Sequence, residues 1–177
     1  MTIILLGVVG TLATSLMIGS MQTSRRQQEQ TAALVNARVA MERMTADIRG
    51  ANSLTYAAPR QLRFGVTLNG VRRTTTYTVV AVSPGSEIRR TVVSRNLSTA
   101  VETTRTTKVL GGMAIGRSEA IFTYTDGAST ALTPLTTSPI AYAPGDVRTI
   151  GIRVVMSRSN DNPAELYQLV SIRNLED

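Results

Sequence analysis

The sequence predicts an α+β protein: a long N-terminal helix, part membrane half and part amphipathic half, packed on a C-terminal antiparallel β-sheet. Three observations carry this. Residues 1–21 (MTIILLGVVGTLATSLMIGSM) contain no charge and no Pro. Residues 22–50 repeat apolar side chains at helical spacing, and beyond residue 60 the apolar period falls from about 3.6 to about 2.

At a rise of about 1.5 Å per residue, about 20 residues span the roughly 30 Å hydrocarbon core of a bilayer. Residues 1–21 are apolar on every side, so their natural solvent is lipid or a bundle of similar helices. They are read as a transmembrane and assembly helix. Gly7, Thr11, Ser15 and Gly19 fall four apart on one drifting ridge, with Gly10 and Thr14 beside it. Small residues at that spacing let a second backbone approach closely, which makes Gly7, Gly10, Thr11, Ser15 and Gly19 the candidate helix-packing residues. The competing explanation is a plain anchor with ordinary membrane-helix composition.

Residues 22–50 continue the helix. No Pro or Gly occurs between Gln22 and Arg49, and Leu34, Ala37, Met41, Met44 and Ile48 recur at spacings of three and four. That stripe is the expected helix–sheet core, with Arg38, Glu42, Arg43, Asp47 and Arg49 placed on the opposite side. Gly50 is the expected stop.

Residues 51–177 read as an antiparallel β domain. Leu62, Phe64, Val66 and Leu68 alternate with polar neighbours, Asn69-Gly70 supplies a hairpin turn, and residues 71–82 return. A turn at residues 83–86 leads into a strand over 88–93. Residues 94–118, rich in Ser, Thr and Arg with weak periodicity, are expected to form a long loop. Strands are then expected at 120–125, 146–157 and 166–173, with an irregular crossing marked by Pro134, Pro139, Pro144 and Gly145.

The chain of 177 residues has no Cys and no His, which excludes disulfides, thiolate zinc sites and His-dependent acid–base or nucleophilic catalysis. Gly111-Gly112 lacks the spacing and the following Lys-Ser or Lys-Thr of a phosphate loop. Asn160-Asp161-Asn162 with Glu165 shares only composition with a calcium loop, and Pro163 favours an ordinary turn. The expectation is a non-enzymatic protein without catalytic residues, metal or cofactor. With 19 basic and 12 acidic residues the formal charge is +7, and every basic residue except Lys108 is Arg. A GC-rich coding sequence accounts for Arg over Lys. The pairs Arg72-Arg73 and Arg89-Arg90 are the candidate contacts to DNA or an acidic partner.

ARVAMERMTADIRGANSL (residues 37–54) resembles the segment that ends the helix in W-type minor pilins and J-type pseudopilins of type II secretion. VSIRNLED (170–177) is similar to their C-terminal ending, and FTYTDG (122–127) to one of their strands. With the hydrophobic helix, these motifs follow the order seen in type IV pilin-like proteins. The resemblance implies a pilin-like fold and a structural subunit of a type IV pilus or type II secretion-like fibre. It further implies other pilin or pseudopilin subunits, prepilin peptidase, inner-membrane assembly machinery and membrane lipid as partners. The family's basic leader, Gly cleavage site and Phe-Thr-Leu-Ile-Glu run do not precede MTIILLGVVG, which resembles a continuation of such a run. Arg25 and Arg26 alone would retain the following domain in the cytoplasm. The resemblance implies the opposite: a single-pass inner-membrane protein with its C-terminal domain outside. The alternative reading is a DNA-binding competence-type pilin or a membrane-tethered binding domain using an Arg-rich surface.

Overall fold

The computed structural model describes residues 2–83, 85–113, 119–126, 130–132, 144–156 and 164–172, with side chains from residue 16 onward. The chain divides into two compact units, Met1–Val35 and Asn36–Asp177. One helix, α1 (Thr2–Arg49), supplies residues to both.

From Thr2 onward the first unit is helix. Among its described side chains Leu16 is 75% exposed, Met17 61%, Ile18 52% and Met21 56%. Thr23 and Thr31 turn their hydroxyls back onto the carbonyls of Gly19 and Gln27, each at 2.9 Å, so these polar groups are satisfied within the helix. Among the described residues no helix is long and apolar enough to cross a membrane. The span expected over residues 1–21 draws on side chains 1–15, which lie outside that set.

In the second unit, α1 lays Ala37, Met41, Met44 and Ile48 against an antiparallel sheet, all buried, and Ala40 and Thr45 widen the stripe. Leu34, the first residue of the expected stripe, is half-buried. Removing the three long side chains from water contributes about 2 kcal/mol each. The helix ends with Gly50 N donating to Ala46 O at 3.2 Å and Ala51 N to Ile48 O at 3.1 Å. Gly50 is not among the residues with positive φ. The helix thus stops at the expected Gly50, and the chain leaves by a tightened last turn and not by a left-handed glycine cap.

Among the described residues the sheet has eight strands: β1 (Ser53–Ala58), β2 (Gln61–Leu68), β3 (Val71–Ala81), β4 (Ser86–Asn96), β5 (Glu102–Met113), β6 (Phe122–Thr125), β7 (Thr149–Met156) and β8 (Ala164–Ser171). Strands β1 to β5 form a meander, β7 joins β5 through Met113 and Met156, and β7 pairs with both β6 and β8. The β2–β3 hairpin closes on Asn69 (φ 51°) and Gly70 (φ 73°), the conformation an Asn-Gly turn favours. Phe64 and Tyr77 stack across it with centroids 6.1 Å apart.

Two expectations are corrected. The long loop expected over residues 94–118 is mostly strand in its described part: β4 continues to Asn96 and β5 occupies Glu102–Met113, with a short connection between them, while residues 114–118 lie outside the described residues. There Asn96 Oδ1 accepts from Ser98 N at 2.9 Å and Thr99 N at 3.2 Å, and Ala100 takes φ 57°. Most of β5 is exposed on both faces, so it carries no apolar alternation; its β-branched Thr content was the available signal. Strand β1 was also missed, because a register shift between Leu54 and Tyr56 breaks its alternation.

Candidate functional site

A polar cluster of the second unit lies between α1 and the sheet. Tyr77 Oη donates to Asp47 Oδ2 at 2.6 Å, and Arg90 Nε donates to the same oxygen at 2.8 Å. Tyr77 and Arg90 are register partners on β3 and β4, so one row of the sheet offers both donors to one helix carboxylate. Burial pushes the Tyr77 phenol well up, and its bond to Asp47 adds to that. Burial works downward on Arg90, but Asp47's hydrogen bond and charge outweigh it and raise the guanidinium. Neither donor changes charge near neutral pH. The cluster fastens helix to sheet and is not set up to move a proton.

Asp47 was expected on the outer side of the helix, and this is a third correction. It sits one position before Ile48, on the flank of the apolar stripe, where a short carboxylate reaches the sheet. Arg38 and Glu42 do form the expected outer i,i+4 pair, at 3.5 Å and well exposed, an arrangement worth a few tenths of a kcal/mol.

Beside this cluster a cleft of about 450 Å³ opens between the end of α1 and the β2–β3 hairpin. Phe64, Val66, Leu68 and Val71 give it an apolar floor, with Arg73 and the Asp47–Arg90 pair at its sides.

The other face of the sheet is polar. Register places Arg63, Thr76, Thr91 and Thr106 in one row, Gly65, Thr74, Val93 and Thr104 in the next, and Thr67, Arg72, Arg95 and Glu102 in a third. Thr91 and Thr106 share a hydroxyl hydrogen bond of 3.0 Å. Nearer the turn to β4, Glu87 holds Arg89 Nε at 2.5 Å and lies 4.0 Å from Lys108 Nζ.

No family model and no curated protein matches this chain.

The sequence-predicted sites distribute as follows. Gly7, Gly10, Thr11 and Ser15 lie in the helical backbone of α1, with their side-chain surroundings outside the described set. Gly19 is exposed, and a Cβ placed there would meet nothing within 4 Å. Of the arginines expected to contact DNA or an acidic partner, Arg89 and Arg90 are engaged by Glu87 and Asp47, whereas Arg72 and Arg73 have no ion pair among the described residues. Adjacent arginines on a strand point to opposite faces, so neither sequence pair forms a patch. The arginines that do gather, Arg63, Arg72 and Arg95, are far apart in sequence, and only strand register brings them together.

The expected turn at Asn160-Asp161-Asn162 lies outside the described residues. Its neighbour Glu165 is taken by Arg153 through bonds of 2.7 and 3.2 Å, which hold the carboxyl below its ordinary range. Among the described residues no cluster of acidic side chains gathers to hold a metal ion.

Proposed function

We propose that the protein is a structural subunit of a type IV pilus or type II secretion-like fibre, a minor pilin or pseudopilin that assembles through α1. The observation that carries this reading is the uncovered apolar surface of the helix at Leu16, Met17, Ile18 and Met21, continuous in sequence with the apolar residues before it. A helix apolar on every side needs lipid or other helices around it. The motifs at residues 37–54, 122–127 and 170–177 support the same reading. In this role the helix rests first in the inner membrane and then in a bundle of subunit helices, and the sheet domain stands outside the cytoplasm.

The Gly7–Gly19 ridge is the assembly determinant in this scheme. Gly7→Leu or Gly19→Leu adds bulk where a second backbone must approach, so incorporation into the fibre fraction of its own cell is expected to fall at least tenfold. Insertion should persist, read from a reporter fused after Asp177 that is active only outside the cytoplasm. Unchanged incorporation counts against the ridge; a silent reporter in the parent chain counts against the orientation.

A further inference from the structure

We infer that the polar face of the β2–β5 sheet is a docking surface for the phosphodiester backbone of duplex nucleic acid, centred on Arg72 and Arg95. This goes beyond the assembly role and does not depend on it. Arg72 and Arg95 are direct cross-strand partners. Both are exposed, and neither has an ion pair among the described residues. Like charges held opposite each other on antiparallel strands, about 5 Å apart at Cα, destabilise a sheet unless an anion neutralises them. Arg63 adds a third unpaired guanidinium on the same face, two rows away along the strands. Glu102, opposite Arg95, stays beyond ion-pair distance.

The surroundings define the class of anion. Threonines 67, 74, 76, 91, 104 and 106 share the face and offer hydroxyl donors between the guanidinium groups. Arg and Thr are among the side chains that contact phosphate and sugar oxygens, contacts that position a duplex whatever its sequence. The face has little to stack on single-stranded bases: Tyr56, half-buried on β1 opposite Arg63, is its aromatic residue. It also lacks the apolar wedges of a membrane-surface site, since the exposed large apolar residues of the sheet (Leu68, Leu97, Val101, Tyr167 and Leu169) lie at its margins or on β8. Duplex nucleic acid matches this chemistry better than a lipid surface or a protein partner with apolar anchors.

The test uses the full chain in non-ionic detergent micelles and a fluorescein-labelled DNA duplex of about 30 base pairs, with binding read by anisotropy. Three phosphate contacts give a salt slope near −2.7, so affinity should fall roughly 40-fold between about 50 and about 200 mM NaCl. The double variant Arg72→Gln/Arg95→Gln should bind more weakly and lose only about 3-fold over the same range. Arg72→Lys/Arg95→Lys should keep most of the slope, separating lost charge from lost folding. Arg26→Gln/Arg43→Gln, two exposed helix arginines with the same change in net charge, should behave as the parent. Three results overturn the proposal: no binding at about 50 mM salt, equal weakening by the helix control pair, or a salt slope in Arg72→Gln/Arg95→Gln that matches the parent's.

Discussion

Asp47 accepts two hydrogen bonds on a single oxygen, and one of its donors, Tyr77, is completely buried. The folded phenol titrates above its ordinary value of about 10, because burial and the Asp47 carboxylate both disfavour the phenolate. A group with a raised folded pKa contributes stability that is fully present below its unfolded pKa and lost as pH rises toward the folded one. Stability should therefore decline above about pH 10 through this residue. Tyr77→Phe keeps the ring against Phe64 but removes the hydroxyl. It should cost about 1–2 kcal/mol at neutral pH in urea unfolding. It should also flatten the alkaline decline relative to the parent, and equal slopes for the two proteins would remove Tyr77 from the account. The sequence shows Asp47 and Tyr77 plainly but not their meeting, because a contact across 30 positions has no local signature.

At the scale of elements, the connections differ in how firmly they dictate a residue. Gly70, at φ +73°, has open space where a Cβ would stand. Gly85, between β3 and β4, has φ +99°, and a Cβ there would lie 2.6 Å from the backbone carbonyl oxygen of Met113. Gly70→Ala should cost about 1 kcal/mol from backbone strain alone. Gly85→Ala should cost roughly 3 kcal/mol, because the β4–β5 pairing at Ser86 and Met113 must also shift. Equal losses in thermal unfolding would mean that β5 yields freely. The same elements show what period-based reading can recover. The stripe Ala37, Met41, Met44, Ile48 and the β2–β3 hairpin were readable because one side of each is buried and the other is not. Strand β5 was not, since solvent on both faces erases the alternation that burial imposes. The arginine surface was unreadable for a related reason: Arg63, Arg72 and Arg95 belong to three strands, and their grouping depends on register.

For the whole molecule, the division into Met1–Val35 and Asn36–Asp177 places the entire sheet and the buried part of the helix stripe in one unit. The first unit contributes no fully buried side chain to the described core. The second has 142 residues, a usual size for a domain with its own core, with the last turns of α1 as one of its layers. A chain starting at residue 36 should therefore fold, remain soluble without detergent, and melt cooperatively. Starting at residue 51 instead removes Ala37, Met41, Met44 and Ile48, whose three long side chains alone contribute about 6 kcal/mol. It also leaves Tyr77 and Arg90 without Asp47, costing about 3 kcal/mol more. Together these approach or exceed the total stability of a domain, about 5–15 kcal/mol. The shorter piece should show no cooperative transition by calorimetry and should bind hydrophobic dyes. A cooperative melt from the piece starting at residue 51 would mean that the sheet closes its own core and that the helix only decorates it. A failure of the piece starting at residue 36 would mean that residues 1–35 support folding and do not serve assembly alone.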